Sequence, residues 1–171
     1  MDTDNITIGK LPPEKWQEYK ALRLRALHDD PQAFSEPLEQ ALTYPDERWQ
    51  QRSAEAYEGK ESLIVFARSG GQLVGMIGAF FPPKEKGVGI IFGVYVAPEV
   101  RDKGVSKLLL EALLHELKTN PTIATVKLEV NKAQLAAVKL YKPFGFTVVE
   151  EENSLLGDGN YYDTYVMERL L

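Results

Sequence analysis

The sequence contains no cysteine among its 171 residues. This absence excludes disulfides, thiolate nucleophiles and cysteine metal ligands. Histidine is scarce as well, because only His28 and His115 occur, and a histidine-rich metal centre is not expected. No apolar run approaches the roughly 18 residues of a membrane-spanning helix. The acidic residues 1–5 lack the basic and apolar regions of a secretory signal. We therefore expect a cytoplasmic protein with no metal and no membrane partner.

Basic residues are also in the minority, with 20 Lys and Arg against 25 Asp and Glu and a net charge of −5. Nucleic-acid-binding domains usually present a basic surface, so no nucleic-acid partner is expected. An acidic body suits a cationic substrate such as an amine. A chain of 171 residues is long enough for one substantial core, which predicts a single domain over residues 1–171.

The apolar patterning predicts the order strand, two helices, three strands, helix, strand, helix and two strands. This order is typical of an α/β fold in which helices cover both faces of a mixed sheet. The predicted helices cover residues 14–27, 45–59, 104–118 and 133–141. The predicted strands cover residues 5–10, 63–67, 72–81, 89–96, 124–130, 146–150 and 161–168. Leu108 is expected to widen the buried stripe of its helix, and Ala136 to lie on the buried face of the last helix.

Residues 94–110 are the most informative segment, because an apolar strand leads through a basic turn with one glycine into a helix. The first N–H groups of a helix lack intrahelical partners and carry partial positive charge, which suits a phosphate group. Gly104 allows the backbone to approach a ligand, and Arg101, Lys103 and Lys107 add charge. The alternative interpretation is an ordinary strand-to-helix connection in which the glycine eases a tight bend.

Two motifs in register carry a resemblance to a known family. Residues 96–106, Val-Ala-Pro-Glu-Val-Arg-Asp-Lys-Gly-Val-Ser, resemble the acyl-CoA-binding motif V-x-P-x-x-R-x-x-G-x-G/A of the GNAT superfamily of N-acetyltransferases. Asn131, residues 137–141 and the Gly145-Phe146 pair resemble the strand, helix and G-F turn that follow in that family. Ser106 departs from the motif, since the family usually has Gly or Ala there. The resemblance implies one GNAT-type domain with a mixed, mostly antiparallel sheet that is splayed in the middle.

The resemblance also implies acetyl-CoA as co-substrate. In the family, backbone amides at the turn hold the CoA pyrophosphate, and the preceding strand pairs with the pantetheine arm and polarises the thioester carbonyl. Gln134 stands where the family commonly has a cofactor-contacting Asn. The implied cofactor-binding residues are Val94, Tyr95, Val96, Arg101, Asp102, Lys103, Gly104, Val105, Ser106, Lys107, Asn131 and Gln134.

Tyr141 matches the tyrosine that is often proposed to protonate the departing CoA thiolate. A phenol with a pKa of about 10 stays protonated at neutral pH, whereas an ordinary thiol titrates near about 8.5, so the proton transfer is plausible. The alternative is that Tyr141 only continues the apolar stripe of its helix.

The group that deprotonates the acceptor is not defined by the sequence. Several family members use a carboxylate on the strand before the turn, but residues 90–96 contain no acid. Glu129, His28, Glu36 and Asp158 are conceivable bases, and each can also be an ordinary surface or capping residue.

The expected function is acetyl transfer to a small-molecule or protein amine by direct attack in a ternary complex, which the lack of cysteine favours over a thiol relay. The alternatives are a non-catalytic acyl-CoA-binding regulatory module and a structural domain without a CoA site. The final strands, if exposed, would support a homodimer.

Overall fold

A computed structural model describes residues 5–171, which form one seven-stranded sheet with helices packed against it. The helices are α1 (Trp16–Asp29), α2 (Leu38–Ala41), α3 (Asp46–Glu58), α4 (Val105–Lys118) and α5 (Leu135–Tyr141). The strands are β1 (Thr7–Gly9), β2 (Ser62–Ser69), β3 (Gln72–Phe80), β4 (Val88–Val96), β5 (Thr125–Asn131), β6 (Thr147–Leu155) and β7 (Tyr161–Leu170). The predicted element order is confirmed except for α2, a helix of one turn that adds a third helix between β1 and β2.

The strands lie in the order β1-β2-β3-β4-β5-β7-β6. Every neighbouring pair is antiparallel except β4 and β5, which are parallel. The parallel pairing is short, because only Val88–Ile90 of β4 are in register with Thr125–Lys127 of β5. Beyond these residues the two strands have no pairing and part. The predicted mixed, mostly antiparallel sheet with a central splay is therefore confirmed.

A bulge in β4 lies inside the splayed region. Met76 and Gly78 of β3 are two residues apart, whereas their partners Tyr95 and Phe92 are three residues apart, so β4 carries one extra residue between them. Gly93 lies in this stretch with φ +65°, a conformation that glycine adopts without steric cost. The bulge redirects the second half of β4 along the gap that β5 leaves open.

Helices cover both faces of the sheet, because adjacent residues of β2 meet different helices. Phe66 contacts the ring of Tyr19 on α1, with 5.8 Å between ring centroids. Ala67 and Leu109 of α4 both lie within 4 Å of the position that a Cβ on Gly75 would take. Since successive side chains of a strand point to opposite faces, α1 and α4 lie on opposite sides of the sheet.

Two predicted burial positions are wrong. Leu108 is 42% exposed on the outer side of α4, although its neighbours Leu109 and Leu110 are fully buried. On α5 the buried residues are Val138 and Tyr141, whereas Ala136 is exposed. In both helices the apolar residues outnumber the positions that the sheet can cover.

Candidate active site

A cavity of about 480 Å³ opens where β4 and β5 part. Its walls include Phe92–Val94 of β4, Leu128–Asn131 of β5 and Tyr141 of α5. The α1 side contributes Arg23 and residues 33–36. This volume is within the range of small-molecule sites, and the lining combines apolar side chains with a few charged ones.

The turn after β4 leaves the first amides of α4 available to a ligand. Gly104 precedes the helix with φ +78°, and no side chain caps the helix. The first recorded backbone bond at this end is donated by the N–H of Leu108 to the carbonyl of Gly104, at 3.1 Å. A Cβ added at Gly104 would meet no atom within 4 Å. The predicted phosphate-binding turn therefore has uncapped amides facing open space.

The cationic side chains of the turn differ from one another in their partners. Arg101 donates from Nε to the carbonyl of Val96 at 2.9 Å and from Nη2 to Asp30 at 2.8 Å. Its guanidinium thus ties the turn to the end of α1. Lys103 and Lys107 are exposed, and within residues 5–171 neither forms an ion pair. Asp102 also adopts a positive φ, +60°, so two residues of the turn, Asp102 and Gly104, have left-handed backbone conformations.

The second half of β4 directs an amide into the gap. The N–H of Ala97 bonds to Val74 of β3 at 2.8 Å. Because successive amides of a strand point to alternate sides, that of Val96 points away from β3, towards the side that β5 has left, whereas Val94 belongs to the bulge. Tyr95 differs, since it pairs with Met76 and its hydroxyl donates to Asp29 at 2.6 Å. Burial and this hydrogen bond raise the pKa of Tyr95.

Asn131 and Gln134 lie at the α5 side of the cavity. The Asn131 side chain is buried, donates from Nδ2 to the carbonyl of Gln32 at 3.2 Å and accepts from the N–H of Ala133 at 2.9 Å. Both ends of this amide are therefore used to join β5 to neighbouring backbone. Gln134 precedes α5 and makes no side-chain capping bond to the helix.

Tyr141 lines the cavity from the last turn of α5. Its side chain is 3% exposed and packs edge-to-face on Phe146, with 5.7 Å between ring centroids. Burial raises the pKa of the Tyr141 hydroxyl. A phenol in this position stays protonated at neutral pH, which suits a proton donor.

Two of the four candidate bases line the cavity. Oε1 of Glu129 accepts hydrogen bonds from Thr164 at 2.8 Å and from Ser154. Glu36 is held between Arg23 and Arg52. Burial opposes its ionisation, but the charge and hydrogen bonds of Arg23 and the charge of Arg52 lower its pKa.

The other two candidate bases lie away from this cavity. His28 has a side chain that is 76% exposed beside Asp29. Asp158 accepts a hydrogen bond from Tyr162 at 2.5 Å. Both residues line a separate depression on the surface.

Arg23 is a site residue that the sequence reasoning missed. It is 6% exposed, and it lies on the buried face of α1, four residues after Tyr19 and four before Leu27. The available signal was a charged residue at helical spacing within an apolar stripe, since a fully buried arginine needs a partner.

The last loop, residues 156–160 between β6 and β7, closes the α1 side of the cavity. The N–H of Gly157 donates to the carbonyl of Phe34 at 2.6 Å, and Leu156 lines the cavity next to it. A Cβ on Gly157 would lie 2.8 Å from the carbonyl of Glu36 and 3.0 Å from those of Phe34 and Pro31. Only a residue without a side chain fits this contact.

Gly157→Ala is therefore expected to destabilise the fold by about 2 kcal/mol, since backbone rather than a flexible side chain must move. Urea unfolding measures this change. Gly9→Ala is the matched control, because a Cβ at Gly9 meets nothing within 4 Å. Equal stability of the two variants would show that the last loop is not fixed by this contact.

Residues 5–171 contain neither a cluster of metal ligands nor a membrane-spanning helix. Between residues 5 and 171, no group of three or more His, Asp or Glu side chains is arranged to hold a metal ion. No helix in the same range combines the length and the apolarity required to cross a bilayer.

Comparison with known proteins identifies the family. The profile of the Acetyltransferase (GNAT) family matches residues 23–146. The L-amino acid N-acetyltransferase AaaT of Escherichia coli is 25% identical over 157 residues, which cover 90% of this chain and 93% of that protein. The ribosomal protein bS18-alanine N-acetyltransferase of Salmonella typhimurium is 35% identical over 74 residues. That alignment spans 43% of this chain and 45% of the Salmonella enzyme, less than half of either.

Solved structures show the same fold. A GNAT-family acetyltransferase from Streptococcus pneumoniae superposes with a TM-score of 0.84 at 19% identity, covering 98% of this chain and 100% of the other. The Salmonella typhimurium protein yncA, solved with its cofactor acetyl-CoA, has a TM-score of 0.78 at 19% identity and covers 98% of this chain and 94% of its own. With a family profile over most of its length and this fold, the chain belongs to the GNAT family of acetyltransferases.

Proposed function

We propose that the protein transfers the acetyl group of acetyl-CoA to a primary amine by direct attack in a ternary complex. The observation that carries this proposal is the cavity at the splay, whose lining includes a phenol, Tyr141, and a carboxylate, Glu129, beside the unpaired part of β4. Release of CoA thiol from acetyl-CoA, measured against a panel of amines and peptides, is the direct test.

The residues present fit acetyl-CoA. The uncapped start of α4 offers amides to a diphosphate, and the exposed side chains of Lys103 and Lys107 add positive charge around it. The amide of Val96 faces the gap in the sheet and Val94 lines the cavity there, so an extended pantetheine arm would complete the missing pairing with β4. Arg101 supports the turn through Asp30 instead of contributing a free cation.

Each reacting group has a defined task in the mechanism. Acetyl-CoA supplies the acetyl group as an activated thioester. Glu129 removes a proton from the acceptor ammonium and passes it to solvent, so that the amine can form the new carbon–nitrogen bond, and it then takes the second proton that leaves this nitrogen. The amide of Val94 or Val96 donates a hydrogen bond to the carbonyl oxygen as negative charge develops there. Tyr141 gives its proton to the sulfur as the carbon–sulfur bond breaks, and it is reprotonated from solvent.

The hydrogen bonds of Glu129 support its assignment as the base. Thr164 and Ser154 both donate to the same oxygen, Oε1, which fixes the carboxylate and leaves Oε2 for the acceptor. Glu36 is less suited, because Arg23 and Arg52 stabilise its ionised form and lower its pKa. A base needs to accept a proton, and this environment opposes that.

The second candidate function is a non-catalytic acyl-CoA-binding module. The feature that favours it is the lack of any acid on β4. Measurable acetyl-CoA binding without amine-dependent thiol release would support that alternative. A melting temperature unchanged by saturating acetyl-CoA would instead contradict both functions, since a bound ligand stabilises the fold.

Glu129→Gln is expected to lower kcat/KM for the amine about 100-fold at neutral pH, in the range found for loss of a general base. The amide keeps the shape and still accepts from Thr164. The defect should shrink as the pH rises above the pKa of the acceptor amine, because a free amine needs no base. Thiol release between pH 6 and pH 10 measures both effects.

Glu150→Gln is the matched control for charge, since Glu150 is exposed on β6 and does not line the cavity. Its rate should equal that of the unmodified protein. A Glu129→Gln rate that is undiminished, or a defect that is constant with pH, would remove Glu129 as the base.

A further inference from the structure

Arg23 is a buried cation, and only two of the three guanidinium nitrogens donate hydrogen bonds. Nε and Nη2 both donate to Oε2 of Glu36, at 3.3 and 2.9 Å. The guanidinium also lies 4.9 Å from the ring centroid of Phe34. These contacts occupy one edge of the guanidinium plane and one of its faces.

The remaining nitrogen, Nη1, is buried and has no hydrogen-bond partner. It would lie 3.3 Å from a Cβ on Gly93, the glycine of the β4 bulge. Arg23 and Gly93 line the same cavity as Glu129 and Tyr141. Because Gly93 has no side chain, no Cβ separates Nη1 from the cavity that both residues line. A buried charged donor without an acceptor is unfavourable, and a ligand that supplies the acceptor removes this penalty.

The charge around Nη1 favours an anion. Arg23 and Arg52 flank Glu36, with Nη1 of Arg52 3.6 Å from Oε1 of Glu36. Two cations and one carboxylate leave this end of the cavity with net positive charge. Glu129 places a carboxylate on the β5 side of the same cavity. The lining therefore offers one site for a cationic group and another for an anionic one.

We propose that Nη1 of Arg23 binds a carboxylate of the acceptor, and that the acceptor is a small zwitterion such as a free α-amino acid. This inference rests on the proposed acetyl transfer, in which Glu129 receives the ammonium of the same molecule. Charge-assisted bonds from arginine to carboxylate are stronger than bonds to a neutral carbonyl. An acceptor with an amide in place of the carboxylate, as at a peptide N-terminus, loses that advantage.

The test compares glycine and the L-amino acids that carry a primary amine and no thiol with their α-amides, using thiol release from acetyl-CoA. The unmodified protein is expected to favour acids over amides by about 100-fold in kcat/KM, as expected for a charged hydrogen bond in a buried site. Arg23→Gln should bring this ratio close to one, and the ratio is measured within each variant so that a general loss of rate does not affect it. Equal use of acids and amides by the unmodified protein, or a preference that survives in Arg23→Gln, would overturn the proposal.

Arg25→Gln is the matched control. Arg25 lies on the same helix and forms a two-bond pair with Glu99, but it does not line the cavity. Its loss should leave the ratio of acids to amides intact. If Arg23→Gln does not fold, Arg23→Lys retains a cation to pair with Glu36 but lacks the second nitrogen, and the same loss of preference is expected.

A binding measurement separates this inference from the proposed function. Titration calorimetry with the N-acetylated amino acids and N-acetylated amides needs no turnover. Arg23-dependent preference for the carboxylate ligands, without acetylation of any amine, would overturn the transferase function and leave the carboxylate site standing. No dependence on Arg23 in either measurement would overturn the carboxylate site, whatever the activity.

Discussion

Gly104→Glu is expected to abolish acetyl-CoA binding, with Kd raised at least about 100-fold, the scale of lost charge-assisted hydrogen bonds and added repulsion. The side chain would project into open space in front of the α4 amides, because a Cβ there meets no protein atom within 4 Å. That space is where the diphosphate is proposed to lie, so the new carboxylate competes for the same amides and repels the ligand. Calorimetry and thermal shift with acetyl-CoA measure the loss.

Two controls separate charge from backbone strain at this position. Gly104→Ala introduces a Cβ at φ +78° without charge, and it should weaken binding far less than glutamate does. Gly70→Glu places the same side chain at φ +55° in the β2–β3 hairpin, where a Cβ also meets nothing within 4 Å. This second control should keep full affinity. Tight binding by Gly104→Glu would mean that the turn is not the phosphate site.

Tyr141→Phe should lower kcat by about 100-fold while preserving the affinity for acetyl-CoA, as for loss of a general acid. The ring remains in place against Phe146, so packing is retained and only the hydroxyl is removed. Burial raises the pKa of Tyr141, and the unmodified protein should therefore show no loss of kcat from tyrosine ionisation up to about pH 10. Pre-steady-state thiol release with a saturating amine measures the chemical step directly.

Tyr19→Phe is the control for removal of a buried tyrosine hydroxyl. Tyr19 is 1% exposed and packs against Trp49 and Phe66, away from the cavity. Its substitution should leave kcat unchanged. If Tyr141→Phe turns over as fast as Tyr19→Phe, Tyr141 is a packing residue and another group protonates the sulfur.

The features that were predictable from sequence depend on neighbours along the chain. Turn residues such as Gly70-Gly71 and Gly104 mark where strands and helices end, and the structure places both glycine sites at positive φ. The helix patterns of α1, α3 and α4 likewise follow from local spacing. Leu108 was misplaced because spacing gives the apolar side of a helix but not the width of sheet that covers it.

The features that were not predictable depend on partners that are distant in sequence. Thr164 reaches Glu129 only because β7 lies beside β5, a pairing set by the order of strands. The unpartnered nitrogen of Arg23 lies beside the bulge at Gly93, seventy positions away in the chain. The ion pair between Arg101 and Asp30 similarly requires α1 to end beside the turn. Patterns of neighbouring residues carry no information about such contacts between distant parts of the chain.

The contact between Gly157 and Phe34 has a consequence for biosynthesis. The amides of Val94, Val96 and α4 all lie before residue 119, whereas the loop that closes the α1 side of the cavity covers residues 156–160. A chain that leaves the ribosome from its N-terminus thus exposes the proposed acyl-CoA-binding elements before the α1 side of the cavity is closed. The proposed acceptor site is completed last, when the final hairpin docks.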